Sequence, residues 1–114
     1  MKNLNHIKLT LKQVQALREL KQKLAGSFDI VEMIIFGSVA RGESDNESDL
    51  DILIVTKSPL KRTIRHRITD IACEINLQFD TNLSTLVVDK EAWQTGLYSI
   101  LPIHQEILTD GVSL

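Results

Sequence analysis

A chain of 114 residues has room for one domain with a real core and little room for a second. With 43% hydrophobic and 25% charged residues it has a soluble globular balance, and a net charge of -2 exerts no general pull on polyanions, so any affinity for nucleic acid must be local. A single cysteine, Cys73, excludes an internal disulfide and a cysteine zinc cluster and reads as a buried thiol; no apolar run approaches the ~20 residues of a membrane span, and MKNLNHIKLT lacks a signal peptide's apolar core, which points to the cytoplasm.

Thr10 and Gln13 have the spacing of a capping box and open a helical pattern, Leu11, Val14, Leu17, Leu20 and Leu24, which Gly26 should stop. Ile30–Phe36 is apolar and rich in branched residues, a buried strand ending at Gly37. SVARG suits a turn or two of helix, and ESDNES is loop chemistry. Leu50–Val55 is a second buried strand. Ser58-Pro59 looks like a cap and first position of a helix whose inner face is Leu60, Ile64, Ile68, Ile71 and Ile75. Ile75, Leu77 and Phe79 fit either the end of that helix or a further strand. Leu83–Val88 is a third strand. Asp89 caps a last helix through Trp93 and Leu97, Pro102 should break or kink the segment after it, and Asp110-Gly111 is a turn. The order predicts one α/β (α+β) domain over 1–114, a small mixed β-sheet flanked by helices.

The chemistry concentrates between Phe36 and Val55. Alternation on a strand points Asp49 and Asp51 to one side, roughly 6.5–7 Å apart along the chain, while Leu50, Ile52 and Ile54 face the core. Two such carboxylates repel each other unless a cation intervenes. Mg²⁺ suits that need, since it takes few carboxylates together with phosphate oxygens, and two ions can activate an attacking hydroxyl and stabilise leaving pyrophosphate. Gly37 allows close approach of a phosphate, Ser38 adds a hydroxyl and an N–H, and a helix starting at SVARG would aim N–H groups at the same anion. Arg41 adds charge there or faces solvent. Together these features suit a nucleoside triphosphate with Mg²⁺.

The residues Gly37-Ser38, Ala40-Arg41-Gly42 and Ser48-Asp49-Leu50-Asp51, followed by ILIV, resemble the signature of the DNA polymerase β-like nucleotidyltransferase superfamily. Within it the chain is most similar to the short minimal nucleotidyltransferases of bacteria and archaea. The resemblance implies Asp49 and Asp51 as catalytic metal ligands and Gly37, Ser38, Arg41 and Ser48 around the nucleotide. The reaction it implies is in-line transfer of a nucleoside monophosphate, such as AMP from ATP, with release of pyrophosphate. The family places a third carboxylate on a later strand. The register of FDTNLSTLVV puts Asn82 there, and Asp80, two residues earlier with the same parity, is the expected third catalytic group. Asp45 reads as spacer. The resemblance further implies a helical partner protein of the HEPN type, for which such a chain serves as antitoxin and which it can adenylylate. Two alternatives stand beside this: a catalytically weak nucleotide- or partner-binding protein, which Asn82 favours, and a transferase acting on an aminoglycoside-like small molecule.

Elsewhere the functional signal is thin. KRTIRHR, Lys61–Arg67, reads as a solvated helix face, with phosphate or an RNA acceptor as the alternative. His6, His66 and His104 lack metal-ligand spacing and read as surface residues. Trp93 reads as core or as partner contact, and LYSILPIHQEIL as either as well.

Overall fold

The computed structural model describes residues 2–3, 7–43 and 49–114. The capping box forms: Gln13 N–H donates to Thr10 Oγ1 at 3.1 Å and Thr10 N–H to Gln13 Oε1 at 2.9 Å. With two of its four free N–H groups satisfied, α1 runs from Leu11 to Ser27 and ends at Phe28. Leu17, Leu20 and Leu24 face inward with Ala16, while Leu11, expected on the same face, is exposed in the first turn.

The remaining elements are β1 (Lys2–Asn3), β2 (Ile30–Phe36), α2 (Gly37–Arg41), β3 (Leu50–Thr56), α3 (Arg62–Phe79), β4 (Leu83–Asp89), α4 (Lys90–Gln94), a 3-10 turn (Leu97–Ile100), α5 (Pro102–Asp110) and β5 (Val112–Ser113). The five strands form one sheet in the order β1-β5-β2-β3-β4. β2 is antiparallel to β3 and β5, and β3 runs parallel to β4. The expected small mixed sheet flanked by helices is therefore present, with β1 and β5 too short to leave a period in the sequence.

The alternation of β2 and β3 sorts their side chains into two cores. Met33, Ile35, Leu50, Ile52 and Ile54 pack beneath α1 and α3, against Leu20, Leu24, Ile68 and Ile75. Ile34, Leu53 and Val55 pack on the opposite face with Val88, Trp93 and Ile107. β3 is buried on both faces, as its unbroken apolar run predicts.

Four expectations need correction. α3 begins at Arg62, not at Ser58-Pro59. The Thr56 hydroxyl donates to Ser58 O at 2.9 Å, holding that carbonyl back toward the strand end, and Lys61 O instead accepts from Ile64 and Arg65. Of the two readings open for Ile75, Leu77 and Phe79, the helix end is the one found, since all three lie in α3. Cys73 is exposed, because the stripe Ile68, Ala72 and Ile75 turns it outward. The helix capped by Asp89 ends at Gln94, where Thr95 and Gly96 N–H both bond to Glu91 O. Pro102 opens α5, at a position whose N–H has no helical acceptor anyway.

Asn76 fixes where β4 starts. After Asp80 ends α3 in a left-handed conformation, φ 56, the Asn76 amide reaches across the turn. Its Oδ1 accepts from Leu83 N–H at 2.7 Å and from the Thr81 hydroxyl at 3.0 Å, and its Nδ2 donates to Leu83 O at 3.0 Å. Asn76→Ala should lower stability by about 1–3 kcal/mol, since partly buried backbone groups lose their partners. Urea unfolding of the variant beside Asn76→Asp, which keeps the acceptor and loses the donor, checks this: Asp should cost less than Ala.

Candidate active site

β2 delivers the chain to Gly37, and β3 delivers Asp51 beside it, since Phe36 and Asp51 are register partners. Gly37 sits at φ 79, a conformation that side chains resist, and a Cβ there would collide with Asp51 Oδ2. Sequence and packing thus both demand glycine at this position. The chain then folds into the short helix α2, anchored by buried Val39 and Ala40. It closes at Gly42, φ 73, with Ser38 O accepting from Glu43 N–H at 3.0 Å. Ser38 is left half-buried next to Gly37. Arg41 is exposed and paired to Glu43 at 3.1 Å, yet it remains near enough to act on Asp51.

Asp51 is the one half-buried residue in an otherwise buried strand, and Asp49 just before the strand is exposed. Burial holds the Asp51 carboxyl above the ordinary carboxylate range, Asp49 raises it further, and Arg41 pulls it back. The expected mutual repulsion is therefore present in the folded chain.

The parallel register decides which groups stand across from the pair. Leu50 N–H donates to Asn82 O at 2.8 Å, and Asp51 pairs with Ser84. Asn82 and Ser84 therefore lie level with Asp49 and Asp51 on the adjacent strand. Asp80 does not join them. It occupies the left-handed cap of α3, its side chain is 90% exposed, and it pairs with Lys12 of α1 at 3.2 Å. The parity argument for Asp80 fails because the strand starts at Leu83 and the helix cap turns Asp80 toward α1. Ser84 was missed, although its parity with Asn82 in LSTLVV was readable. Ser48 and Asp45 lie outside the described residues, as does His6. His66 is exposed, whereas His104 is half-buried against Trp93, ring centroids 4.5 Å apart, which corrects its surface assignment.

Among the described residues no three His, Cys, Asp or Glu side chains cluster as a metal site. The groups at hand are the carboxylates of Asp49 and Asp51, the Ser84 hydroxyl and the Asn82 amide, all hard oxygen donors without sulfur or imidazole. That set, and the raised Asp51 carboxyl, fit a hard divalent cation such as Mg²⁺ that shares its coordination with a phosphate ligand.

The sequence matches the family model described as nucleotidyltransferase domain over residues 14–101, which takes in all these groups. A proposed protein adenylyltransferase of Methanocaldococcus jannaschii is 36% identical over 95 residues, covering 82% of this chain. The match spans 62% of that relative's length. Among solved structures, one described as a proposed minimal nucleotidyltransferase superposes with a TM-score of 0.60 at 21% identity, covering 93% of this chain and 97% of that one. A chain from the complex of tri-AMPylated Shewanella oneidensis HEPN toxin with MNT antitoxin superposes with a TM-score of 0.52 at 17% identity, covering 90% and 71%. These last two show a shared fold.

Two glycines should respond oppositely to alanine. Gly37→Ala should lose at least about 1–2 kcal/mol from the left-handed backbone alone, whereas Gly26→Ala, with nothing within 4 Å of the added carbon in α1, should gain about 0.5–1 kcal/mol. Chemical denaturation of both variants reads the difference. Asp51→Asn should raise the melting temperature in EDTA at neutral pH. A carboxyl whose folded pKa is raised supports the fold below the ordinary carboxylate range and loses that support as pH rises through the raised value. The gap between variant and parent should therefore close on acidification, as melts across pH would show.

Proposed function

The chain belongs to the nucleotidyltransferase domain family, and from that premise we propose that it transfers AMP from ATP to a protein, with Mg²⁺ held by Asp49 and Asp51. The observation that carries this reading is the apposition of Gly37 and Asp51: a backbone bare of side chain lies against a carboxylate under repulsion, with Ser38 beside it. The missing side chain leaves room for the Asp51 carboxylate against the Gly37 turn, so the backbone N–H groups and hydroxyl offered to a phosphate stand next to the carboxylate that would hold the cation. Mg²⁺, one ion or two, would supply charge to offset the negative charge that develops during phosphoryl transfer.

This chain's own residues do the positioning. Gly37 and Ser38 offer backbone N–H groups and a hydroxyl to the triphosphate, with Ser48 as a further nucleotide contact. Arg41 lowers the local negative potential. Asp49 and Asp51 would hold the cation through their carboxylate oxygens and so fix where the nucleotide phosphates lie. No side chain forms a covalent intermediate, so the rate depends on alignment and electrostatics. An acceptor protein supplies the hydroxyl. The similarity to a proposed protein adenylyltransferase and the fold shared with a chain of a HEPN toxin–antitoxin complex support a helical HEPN-type protein as that acceptor and this chain as the antitoxin of such a pair. Among the described residues no helix is long and apolar enough to cross a membrane.

A second reading rests on one observation, Asn82 level with Asp49 where a carboxylate would strengthen a metal site. It holds that the chain neutralises its partner by complex formation, with little transfer.

Incubation with ATP labelled on the α-phosphate, Mg²⁺ and a HEPN-type partner separates the two. Label should appear on the partner and fall by about 100-fold or more with Asp51→Ala, the scale seen when a key electrostatic group is removed. A tight complex without label would decide for the second reading.

A further inference from the structure

The two edges of the sheet differ. β1 at one end has 2 described residues. β4 at the other has 7, with no proline, no bulge in its pairing and no charge before its last residue. Natural edges are kept short, charged or bent because a long straight one offers its backbone to other chains. β4 has none of these protections, and it starts beside Asp51.

The bond from Leu50 N–H to Asn82 O sets the backbone directions along β4. In a parallel ladder Asn82, Ser84, Leu86 and Val88 then turn their N–H and C=O toward β3, and Leu83, Thr85 and Val87 turn theirs outward. At Leu83 both outward groups are bonded to the Asn76 amide, which stands in for a neighbouring strand. Beyond it, Thr85 and Val87 line a groove of about 320 Å³ with Arg65 and His66 of α3 and Tyr98 of the 3-10 turn. Arg65 and His66 are exposed and have no ion pair among the described residues. From Lys61 to Thr69 the chain carries basic residues and no acid. A second copy on this edge would bring two such basic faces together, which like-charge repulsion opposes.

We propose that the β4 edge docks the acceptor protein, through an extended acidic segment that adds to the sheet at Thr85 and Val87 with its carboxylates against Arg65 and His66. This rests on the reading of the chain as a protein-modifying transferase. The added segment lies two strand spacings from β3, about 9.5 Å. Asn76 ends the pairing at Leu83, so the segment leaves the edge level with Ser84. Its next side chains are then released level with Asp51 and across Ser84 from it, at the end of the sheet where an acceptor hydroxyl is needed. Strand addition supplies affinity through backbone bonds, and the flanking charges select the segment.

The probes are synthetic peptides of the length of β4 that alternate valine with glutamate, with lysine-for-glutamate versions as controls. Binding to the full chain is read by fluorescence anisotropy and by amide hydrogen exchange. Glutamate peptides should bind about tenfold or more tighter than lysine peptides, and exchange should slow at the Thr85 and Val87 amides. Thr85→Pro removes an outward donor and no bond to β3, so it should weaken binding about tenfold, whereas Thr85→Val should not. If Thr85→Pro fails to fold by circular dichroism, Arg65→Glu carries the test and should reverse the preference toward lysine peptides. Equal binding of both peptide sets, no binding, unchanged exchange at Thr85 and Val87, or a self-associating edge abolished by Thr85→Pro would each overturn the proposal. Asp51→Ala should bind these peptides as the parent does. Docking by the parent chain with no AMP transfer therefore counts against the function, and AMP transfer by the parent chain without docking counts against the edge.

Discussion

Burial of β3 on both faces is the constraint on which the other elements depend. A strand with apolar side chains above and below cannot be stable with one layer of helix. α1 and α3 cover Leu50, Ile52 and Ile54, while α4, α5 and the turn between them cover Leu53 and Val55. Asp51 belongs to the second face by alternation, yet it lies at the end of the strand where that cover stops. It is therefore held by a rigid central strand and still open to a ligand. A carboxylate further along β3 would be buried without partners, and one in the preceding loop would lack a fixed direction.

The electrostatics of the pair follow from that placement. Partial burial and the neighbouring Asp49 both disfavour the ionised form of Asp51, and the Arg41 guanidinium offsets only part of this. The fold thus bears a local cost at the strand mouth that a bound cation would relieve. Gly37 accepts its left-handed backbone without strain, and its missing side chain leaves the space that the same carboxylate fills. A destabilised carboxylate and a glycine turn meeting at one point, inside a domain otherwise well packed, are what a binding site looks like before its ligand arrives. Asn76 complements them from the other side. By pinning the first residue of β4 it sets the register that brings Asn82 and Ser84 level with the carboxylates.

Much of this was readable from the residues. The capping box at Thr10, the apolar runs of β2, β3 and β4, the turn after Gly37 and the Asp49-x-Asp51 spacing all report local physics, and each element appears where its pattern lies. The misreadings share a cause. Ser58-Pro59 looked like a helix start, but the Thr56 hydroxyl bonds to Ser58 O and delays the helix to Arg62. Cys73 has a composition that favours burial, but its position on α3 turns it to solvent. Asp80 had the right parity for the site, but the strand to which that parity applied begins only at Leu83. In each case a bond or packing contact outside the apolar period, be it the Thr56 hydroxyl two residues away, the rotation of α3 against the sheet or the cap of α3, overrode the local signal.

The sequence alone determined the mixed α/β character, the central buried strand and the two carboxylates with a glycine turn before them. Period and spacing are local properties, and the chain carries them in any state. Only the tertiary structure decided that Asp51 is destabilised as an anion, that Asp80 stays away from the pair while Ser84 lies beside the Asn82 that the register already put there, and that β4 is an edge with Arg65 and His66 beside it. Those facts depend on which strands become neighbours. Neighbour choice is made by the burial of whole faces, a sum over residues far apart in the chain that no short stretch contains.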